Sequence, residues 1–527
     1  MKKFLIVTLI FAMNLFAQTE QQSIELPDFV ITGKQSIDVQ SAQKPKAELI
    51  SITSKDFFTP QYSPEELPIF FQSLPIQNLP NIKLSQDYFS GKLNIMLGKY
   101  SFPLGELFLT KSFDNYLFNM KVWGSNIKEY IPFAGYNNSG VNISNDFFIS
   151  TKSDFLPGSK IKLDGAFQRD SYNFFGSLNP NEKRETKNFL ANFSLKNNYV
   201  DYFHFGFDLE GDVFNVSSNN LKEIKINTNV FTELSFPKFS IGGKVNYLKQ
   251  NLTDNILQDR LYNFFDSKVY VKTNPLNFIN IEAGINYNTN SKNNFFAPFA
   301  FGELKIDNNL SISALFNPHI EMMLIKDFQK RNLYSNLNLD NAFVKHTNDL
   351  KLGIKYEIKK IFLASITSNI ASYDNYIFYL ENSNNKKYDI FTKNDVSKFS
   401  LVTNFYLYNN FYGNLFGEFT YQKIQDSNNK QIPFEPTWNL NLNYSYKFNF
   451  NFSVNVGYSF LADYYSDLFN NQRINNYSNL NFGCSYELLN GLKIKMDFQN
   501  ILNKSNFVWQ YYKKKTFDYS AGIEYRW

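Results

Sequence analysis

The sequence predicts an all-β fold: a transmembrane antiparallel β-barrel of about 22 strands (roughly 20–24), preceded by a short irregular N-terminal segment. Three observations lead to this prediction. Long segments alternate apolar and polar residues, aromatic residues make up 18% of the 527-residue chain, and the connections between segments alternate between short and long. A barrel can turn so many rings outward into lipid, whereas a soluble protein has few places to bury them.

The alternation has a period of two residues and begins at about residue 91. In 438–448 every second residue is apolar, and the residues between them are Asn, Ser and Lys. Segments 203–209, 352–358 and 492–498 repeat the pattern. Because successive side chains of a strand point to opposite faces, each segment has one apolar and one polar face. At roughly 10–12 residues, the segments are long enough for tilted strands to cross a bilayer.

The connections set the strand number and the orientation. The span 91–527 holds 437 residues, which gives about 22 strands at roughly 20 residues per strand with its loop. An even number returns the C-terminus to the periplasmic side. We also predict one long strand at 387–407 that projects beyond the membrane. Longer polar outer loops are expected near 125–141, 170–185, 250–262, 318–334, 423–437 and 461–476, with tight turns between them.

The N-terminus has the features of an export signal. Two lysines precede an apolar run at 4–11, and Ala17 lies before a plausible cleavage point. Beyond residue 17 no apolar stretch reaches 18 residues, which argues against a membrane-spanning helix. The predicted organisation is a signal peptide at 1–17, a periplasmic or lumen segment at 18–90, and an outer-membrane barrel at 91–527.

The last strand carries a distinct pattern. Polar residues alternate with apolar ones up to a terminal aromatic residue, so that one face of the strand is apolar. An apolar edge strand of this kind can be captured by pairing with the edge of another sheet. We interpret it as the signal read by the barrel-assembly machinery. The residues that carry this signal are Phe517, Tyr519, Ile523, Tyr525 and Trp527.

The C-terminal part of the chain resembles the end of a TonB-dependent receptor. Residues 492–504 are similar to the family's penultimate strand and its Asn-Leu-Phe-Asn-like turn, 515–527 to its closing strand, and 477–488 to the strand before both. The resemblance implies a 22-stranded barrel in the outer membrane of a Gram-negative-type envelope. It also implies transport of a solute, without indicating which one.

A second resemblance lies near the N-terminus. Residues 26–34 are similar to the segment where a TonB box meets the first strand of the plug domain. The resemblance implies that an extended peptide here pairs with a TonB-like energy-coupling protein in the periplasm. A short β-prone run after a flexible start is the alternative. The residues implied in partner binding are Phe29, Val30, Ile31, Thr32 and Gly33.

The chain departs from the family after this segment. A complete receptor continues with a glycine-rich plug domain that carries an Arg-Gly pair near its end. Here residues 34–90 are short, glycine-poor and rich in proline and polar residues, and the whole chain contains no Arg-Gly pair. This composition is typical of an irregular segment rather than a sheet. The plug is therefore predicted to be reduced or missing, which places energised transport in doubt.

The sequence offers no catalytic, cofactor or metal site. His204 is expected on a lumen-facing strand position, whereas His319 and His346 are expected in loops or turns, all three as solvated polar residues. The single cysteine, Cys484, alternates with apolar residues and is expected in the wall. No nucleophile or activated water can be matched with a base, so the chain is not predicted to be an enzyme.

Charges of both signs are expected on the lumen face, where they either hydrate the interior or form a selectivity lining. The net charge of +5 is too small to indicate a nucleic acid partner. The expected partners are outer-membrane lipid, the barrel-assembly machinery, a TonB-like coupling protein and an unidentified solute. The lumen charges are Lys351, Lys355, Glu357, Lys493, Lys495, Asp497, Asp518, Glu524 and Arg526.

Two functional hypotheses follow. The first is a transport protein, a receptor-like barrel that takes up or passes a solute across the outer membrane. The second is a plugless barrel that anchors or binds a periplasmic or surface partner, with residues 18–90 as the docking peptide. Transport is favoured because a wide barrel encloses a large lumen, although a fold does not by itself determine a function.

Overall fold

One antiparallel sheet closes on itself into a barrel. The structure, a computed structural model, describes residues 90–254, 259–290, 293–358, 361–409 and 413–527. The predicted signal peptide, TonB-box-like segment and reduced plug lie outside these residues. The sheet has 23 strand segments, of which β13 and β14 pair with β15 one after the other. Counted as one wall strand, they give a barrel of 22 strands, which confirms the prediction.

The wall strands are β1 (Gly91–Gly98), β2 (Ser101–Ser112), β3 (Tyr116–Ile127), β4 (Tyr136–Phe148), β5 (Lys160–Asn173), β6 (Lys183–Asn197), β7 (Phe203–Val216), β8 (Leu221–Ser235), β9 (Phe239–Thr253), β10 (Arg260–Leu276), β11 (Ile279–Asn290), β12 (Asn294–Lys305), β13 (Leu310–Phe316), β14 (His319–Leu324), β15 (Asn341–Ile358), β16 (Phe362–Asp374), β19 (Val396–Asn409), β20 (Gly413–Gln425), β21 (Trp438–Lys447), β22 (Phe452–Ala462), β23 (Tyr477–Leu489), β24 (Leu492–Gln499) and β27 (Asp518–Arg526). Two hairpins stand outside the wall, β17 (Tyr376–Glu381) with β18 (Tyr388–Lys393) and β25 (Phe507–Trp509) with β26 (Tyr512–Lys513). The helical elements are a 3-10 turn at Ser217–Asn219 and α1 (Ile325–Arg331). Within the described residues, no helix is both long and apolar enough to cross a membrane.

The first and last wall strands close the barrel. β1 and β27 pair antiparallel from Lys92–Arg526 to Gly98–Ser520. The main-chain oxygen of Trp527 accepts hydrogen bonds from the N–H groups of Ser90 and Gly91, at 2.7 and 3.1 Å. Closure pairs the two edges of the sheet, which a β-structure inside a bilayer requires.

The outward face of the barrel is apolar. Ile312, Ile354 and Ile366 are register partners on neighbouring strands, and each is at least 40% exposed. A row of exposed isoleucines would be unfavourable in water but is typical of the lipid-facing band of a membrane barrel. Cys484 lies in this face as predicted, between its register partners Val454 and Met496.

The two ends of the barrel differ in their connections. Most turns at one end are short, as at 236–238, 277–278 and 490–491, whereas the other end carries long segments such as 325–340 and 463–476. Short periplasmic turns and long outer loops are typical of outer-membrane barrels, so the second end is the outer one. Trp527 therefore lies at the periplasmic end.

The prediction of one long strand at 387–407 is wrong. The chain turns between β18 and β19 at Asp395, whose φ is 54°, and the side chain of Asn394 accepts a hydrogen bond from Asn375 N–H at 2.9 Å. A left-handed conformation is readily adopted by Asp and Asn and ends a strand. β17 and β18 consequently leave the wall as a separate hairpin.

Candidate functional site

The lumen wall carries ion pairs below the outer loops. Lys355 Nζ lies 2.6 Å from Glu357 Oε2. At the outer end of the wall, Lys515 Nζ from the loop before β27 lies 2.9 Å from Asp518 Oδ2. Most of the charges predicted to face the lumen take part in such pairs. Further pairs join Lys351 to Asp349, Lys493 to Glu487, and both Lys495 and Arg526 to Glu524.

The outer loops fold inward over the mouth of the barrel. We call this assembly the outer cap; it comprises residues 128–135, 174–182, 325–340, 375–395, 426–437, 463–476 and 500–517. Several of these segments were predicted as polar loops, and their positions agree with the prediction, but together they bury an apolar cluster. Its aromatic members within the outer cap include Phe174, Tyr334, Tyr376, Tyr379, Tyr388, Phe434, Tyr464 and Tyr512.

The helix α1 reaches from β14 towards β7 and β8. The N–H groups of Ile325 and Lys326 donate to the carboxylate of Glu223 at 3.2 and 3.1 Å, and the Lys326 ammonium pairs with Asp212. A carboxylate here satisfies N–H groups that have no partner within the helix. The side chains of Ile325 and Phe328, three residues apart, pack in the apolar cluster. The helix is thus fastened to wall strands distant from those it connects.

Arg184, at the outer end of β6, joins the wall to the segment after α1. Its side chain is 1% exposed. Nη1 donates to Ser335 O at 2.7 Å and to Leu333 O at 3.3 Å, and the Tyr172 hydroxyl also donates to Leu333 O, at 2.7 Å. The guanidinium lies 4.5 Å from the ring centre of Phe174. Only a planar group with several N–H donors makes these contacts together.

Three loops meet over the mouth at the hairpin β17–β18. The Tyr388 hydroxyl donates to Gln510 O at 2.9 Å, and its ring packs on Trp509 with centroids 5.0 Å apart. Lys387 Nζ lies 2.5 Å from Glu182 Oε1, in the loop between β5 and β6. Because these partners come from separate parts of the wall, the hairpin ties opposite sides of the outer cap together.

A half-buried carboxyl group lies within the outer cap. Glu435 Oε1 accepts a hydrogen bond from the Tyr376 hydroxyl at 2.9 Å. Removal from water raises the pKa of Glu435 above its ordinary value of 4.5, although Lys398 nearby opposes this shift. Burial also raises the pKa of Tyr376 well above 10, so its phenol stays protonated and remains a donor.

The predicted loop positions of His319 and His346 are wrong. Both lie on strands, β14 and β15, where they are register partners, because the wall continues past Pro318 instead of ending there. Their rings stack with centroids 4.1 Å apart. His204 lies on the lumen face of β7 opposite Glu233, as predicted.

The two stacked histidines stand beside Asp349. Of the residues that the structure describes, only these three bring together at least three His, Cys, Asp or Glu side chains in an arrangement that could hold a metal ion. The sequence did not indicate this cluster, because 27 positions separate the histidines and no metal-binding motif joins them.

The other predicted site residues belong to the two ends of the chain. The TonB-box-like residues 29–33 lie outside the described residues. Tyr519, Ile523 and Tyr525 are exposed on the outward face of β27. Trp527, also exposed, and Phe517 lie one residue after and one residue before this strand. Their role as a barrel-assembly signal stays a prediction.

These features define the class of protein: a 22-stranded outer-membrane β-barrel whose own outer loops close its mouth. Neither a protein-family model nor a curated protein matches the sequence. Solved structures do match the fold, and those named below are receptors or transporters rather than enzymes.

The siderophore receptor PirA from Acinetobacter baumannii is 10% identical over 83% of this chain and 80% of its own, with a TM-score of 0.64. The ferric-catecholate import receptor Fiu from E. coli K12 is 10% identical over 84% and 82%, also at 0.64. The FrpB iron transporter from Neisseria meningitidis is 9% identical over 84% and 82%, at 0.63. At this identity the likeness concerns the fold, and at that level it confirms the resemblance to TonB-dependent receptors.

Proposed function

We propose that this chain is an outer-membrane transport protein, which takes up or passes a solute through its lumen and uses the outer cap as an external gate. The observation that carries the proposal is the cap itself, a set of loops that pack on one another and on the outer ends of the wall strands, over a wide barrel whose interior is lined with paired charges. Barrels of this size hold a lumen large enough for a solute. Gating by loop movement requires an element that can separate from the wall. The contacts of α1 and the segment after it with β6 and β8 depend on the side chains of Arg184 and Glu223, which can release them.

The polar interior supports the same proposal. Lys162 and Asp164 on β5 pair at 3.1 Å and keep 35% and 21% of their side-chain surface exposed. Such groups stay hydrated inside a water-containing lumen, whereas a solid core would bury them. A hydrated lumen beneath a closed mouth is the arrangement of a gated pathway.

Conductance across planar bilayers tests the proposal. Four forms are compared: the unaltered chain, the chain lacking 18–90, the double variant Tyr334→Ala/Tyr512→Ala (the cap variant), and the cap variant that also lacks 18–90. The last form is expected to conduct. If the cap variant that retains 18–90 conducts, the outer cap is the sole barrier. If conductance appears only when the cap is altered and 18–90 is also removed, residues 18–90 form an inner barrier. Absence of conductance in all four forms, each with the circular dichroism spectrum of a folded β-protein, would overturn lumen transport.

Energy coupling forms a separate part of the proposal. We infer that residues 29–33 pair with a TonB-like protein as an added strand. A proline inside the box removes an N–H donor from this pairing. A synthetic 18–90 peptide should therefore bind the periplasmic domain of such a protein, and Ile31→Pro should abolish binding while Ile50→Pro, outside the box, retains it. Equal binding by both variants would show that coupling does not use the box.

The closed mouth also favours a second candidate, the anchoring or binding module. A barrel that stays shut can still fix residues 18–90 to the membrane as a docking peptide. Recovery of a specific envelope protein on immobilised 18–90, together with silence in all conductance experiments, would support this function. Recovery of none would count against it. We propose no enzymatic activity for either candidate.

A further inference from the structure

The strands β14 and β15 bring two imidazoles face to face on the lumen wall, at the edge of the outer cap. His319 and His346 are direct register partners, and antiparallel partners have neighbouring side chains on the same face of a sheet. Glu321, two residues after His319, follows on that face, and its carboxylate lies 3.5 Å from His346 Nε2. The wall thus presents two histidines and a carboxylate side by side.

A β-bulge adds a second carboxylate. The register between β15 and β16 shifts between His346 and Asn348, which leaves Thr347 as the extra residue. In a regular strand, residues three apart point to opposite faces, but a bulge of one residue returns them to the same face. Asp349 accordingly turns towards His346, with Oδ2 3.7 Å from Nδ1.

The buried polar atoms of this cluster lack hydrogen bonds. His346 is 8% exposed and Asp349 only 1%. Among the described residues, neither nitrogen of His346 and neither carboxylate oxygen of Asp349 has a hydrogen-bond partner, although Lys351 Nζ lies at ion-pair distance from Asp349, 3.3 Å. Four such atoms on two facing side chains form a set of nitrogen and oxygen atoms that one bound ligand could satisfy together.

The third residue has its tautomer fixed for metal binding. His319 Nδ1 lies 2.8 Å from Asn317 O, so Nδ1 carries the proton and donates it to the carbonyl. The lone pair of His319 is then on Nε2. A backbone carbonyl behind the ring is the usual support of a metal-bound histidine. One ligand atom from each of His319, His346 and Asp349 lies within 4.8 Å of the others.

We propose that His319, His346 and Asp349 bind a divalent transition-metal cation of the Zn²⁺ type on the lumen wall, with Glu321 next to the site. Two imidazoles and one carboxylate form a donor set that Zn²⁺ accepts, with a fourth position open to water or solute. Bond lengths of about 2.0–2.2 Å require the ligand atoms to approach one another, which rotation of the three side chains provides.

Two cations balance the carboxylates without metal. Lys351 faces Asp349, and Arg331 at the end of α1 lies 3.7 Å from Glu321. A bound dication would take over the charge balance of Asp349, and Lys351 would move away from it. Since Arg331 belongs to the outer cap and pairs with Glu321 beside the site, a charge bound at the site would act on this contact between wall and cap.

The test uses the purified full-length chain in detergent, titrated with Zn²⁺ by calorimetry and with Co²⁺ by visible absorption. One equivalent should bind, with the visible bands of Co²⁺ held by nitrogen and oxygen ligands. His319→Ala, His346→Ala and Asp349→Asn should each weaken binding at least about tenfold. His204→Ala, which removes the remaining histidine of the chain, should leave it unchanged.

Two results would overturn the proposal. The first is absence of Zn²⁺ and Co²⁺ binding by the unaltered chain, which would leave His346 as an imidazolium held between Glu321 and Asp349. The second is an equal loss of binding in His204→Ala and in the cluster variants. Because the Co²⁺ spectrum of the unaltered chain reports the ligand type directly, a variant that fails to fold does not prevent the test.

Discussion

Tyr334 and Tyr512 stack face to face in the outer cap, with ring centroids 3.6 Å and planes 18° apart. Tyr334 follows α1, and Tyr512 belongs to the loop before β27. Phe175, from the loop between β5 and β6, meets both rings edge to face. Three loops that are far apart in the chain therefore share one aromatic contact.

Removal of one ring should loosen the outer cap. Tyr512→Ala is expected to lower the free energy of cap opening by about 3 kcal/mol, because it leaves a cavity among buried rings. Hydrogen exchange of segment 332–340, followed by mass spectrometry, measures the opening. Phe155→Ala is the matched control, since Phe155 is 73% exposed at the periplasmic end. Equal exchange in both variants would mean that the stack does not hold the cap.

Arg184 should not tolerate a conservative change. Arg184→Lys keeps the charge but cannot serve Ser335 O, Leu333 O and the ring of Phe174 at once. The loss of buried hydrogen bonds that an ammonium cannot replace is expected to cost about 2 kcal/mol of cap stability. Arg169→Lys is the control, because Arg169 forms an exposed pair with Glu185 and such pairs contribute little. Protease cleavage between 325 and 340 should rise in the first variant alone.

The outer cap should respond to pH through Glu435. The pKa of this carboxyl is raised in the folded state, so the folded cap binds the proton more tightly than the open one. The stabilisation is fully present below the ordinary value of 4.5 and is lost as the pH rises above it. The groups that act on Glu435 include Tyr376, Gln422, Lys398 and Arg331.

Glu435→Gln isolates this effect. The amide oxygen still accepts the hydrogen bond from Tyr376 but does not titrate. Hydrogen exchange of the cap, corrected for the intrinsic exchange rate, should increase between about pH 5 and about pH 8 in the unaltered chain and much less in the variant. An unchanged slope in Glu435→Gln would assign the pH response to another group.

The terminal tryptophan should be required for efficient assembly. The ring of Trp527 lies against Gly91 so closely that a Cβ at this glycine would come within 2.2 Å of it, and its main-chain oxygen closes the seam. Deletion of Trp527 is expected to slow folding and lower the yield of closed barrel, whereas Trp527→Phe keeps most of both. Refolding assays with and without a purified assembly complex distinguish the role of Trp527 in the β1–β27 pairing from its role as a signal for the assembly machinery. Equal losses of folding rate and yield in both assays would show that Trp527 acts only through the β1–β27 pairing.

The sequence predicted the wall well because each wall strand has a local pattern of alternating apolar and polar residues. The alternation in 438–448 and 492–498 corresponds to β21 and β24, and the positions of the long loops followed from the gaps between such segments. Lipid on one side and water on the other impose the same period on every strand. Strand number and orientation then follow from length and loop asymmetry.

The outer cap and the histidine cluster could not be predicted in this way. Tyr334 and Tyr512 are 178 positions apart, and no period in the sequence says which loops meet. The bulge at Thr347 changes the face of Asp349 without any glycine or proline to mark it. Asp395 was missed because the residues on both sides of it alternate as if the strand continued.

The outer cap joins residues that are far apart in the sequence, and this determines when it can form. The Tyr130 hydroxyl donates to Lys513 O at 2.8 Å, and so joins an early loop to the last one. Contacts of such sequence separation form late, since the intervening chain must first be ordered. Every cap segment must already have been delivered across the membrane before the cluster can pack. A packed cap is therefore a mark of completed biogenesis, and a barrel whose insertion stalls would display its unpacked tyrosines and phenylalanines at the cell surface.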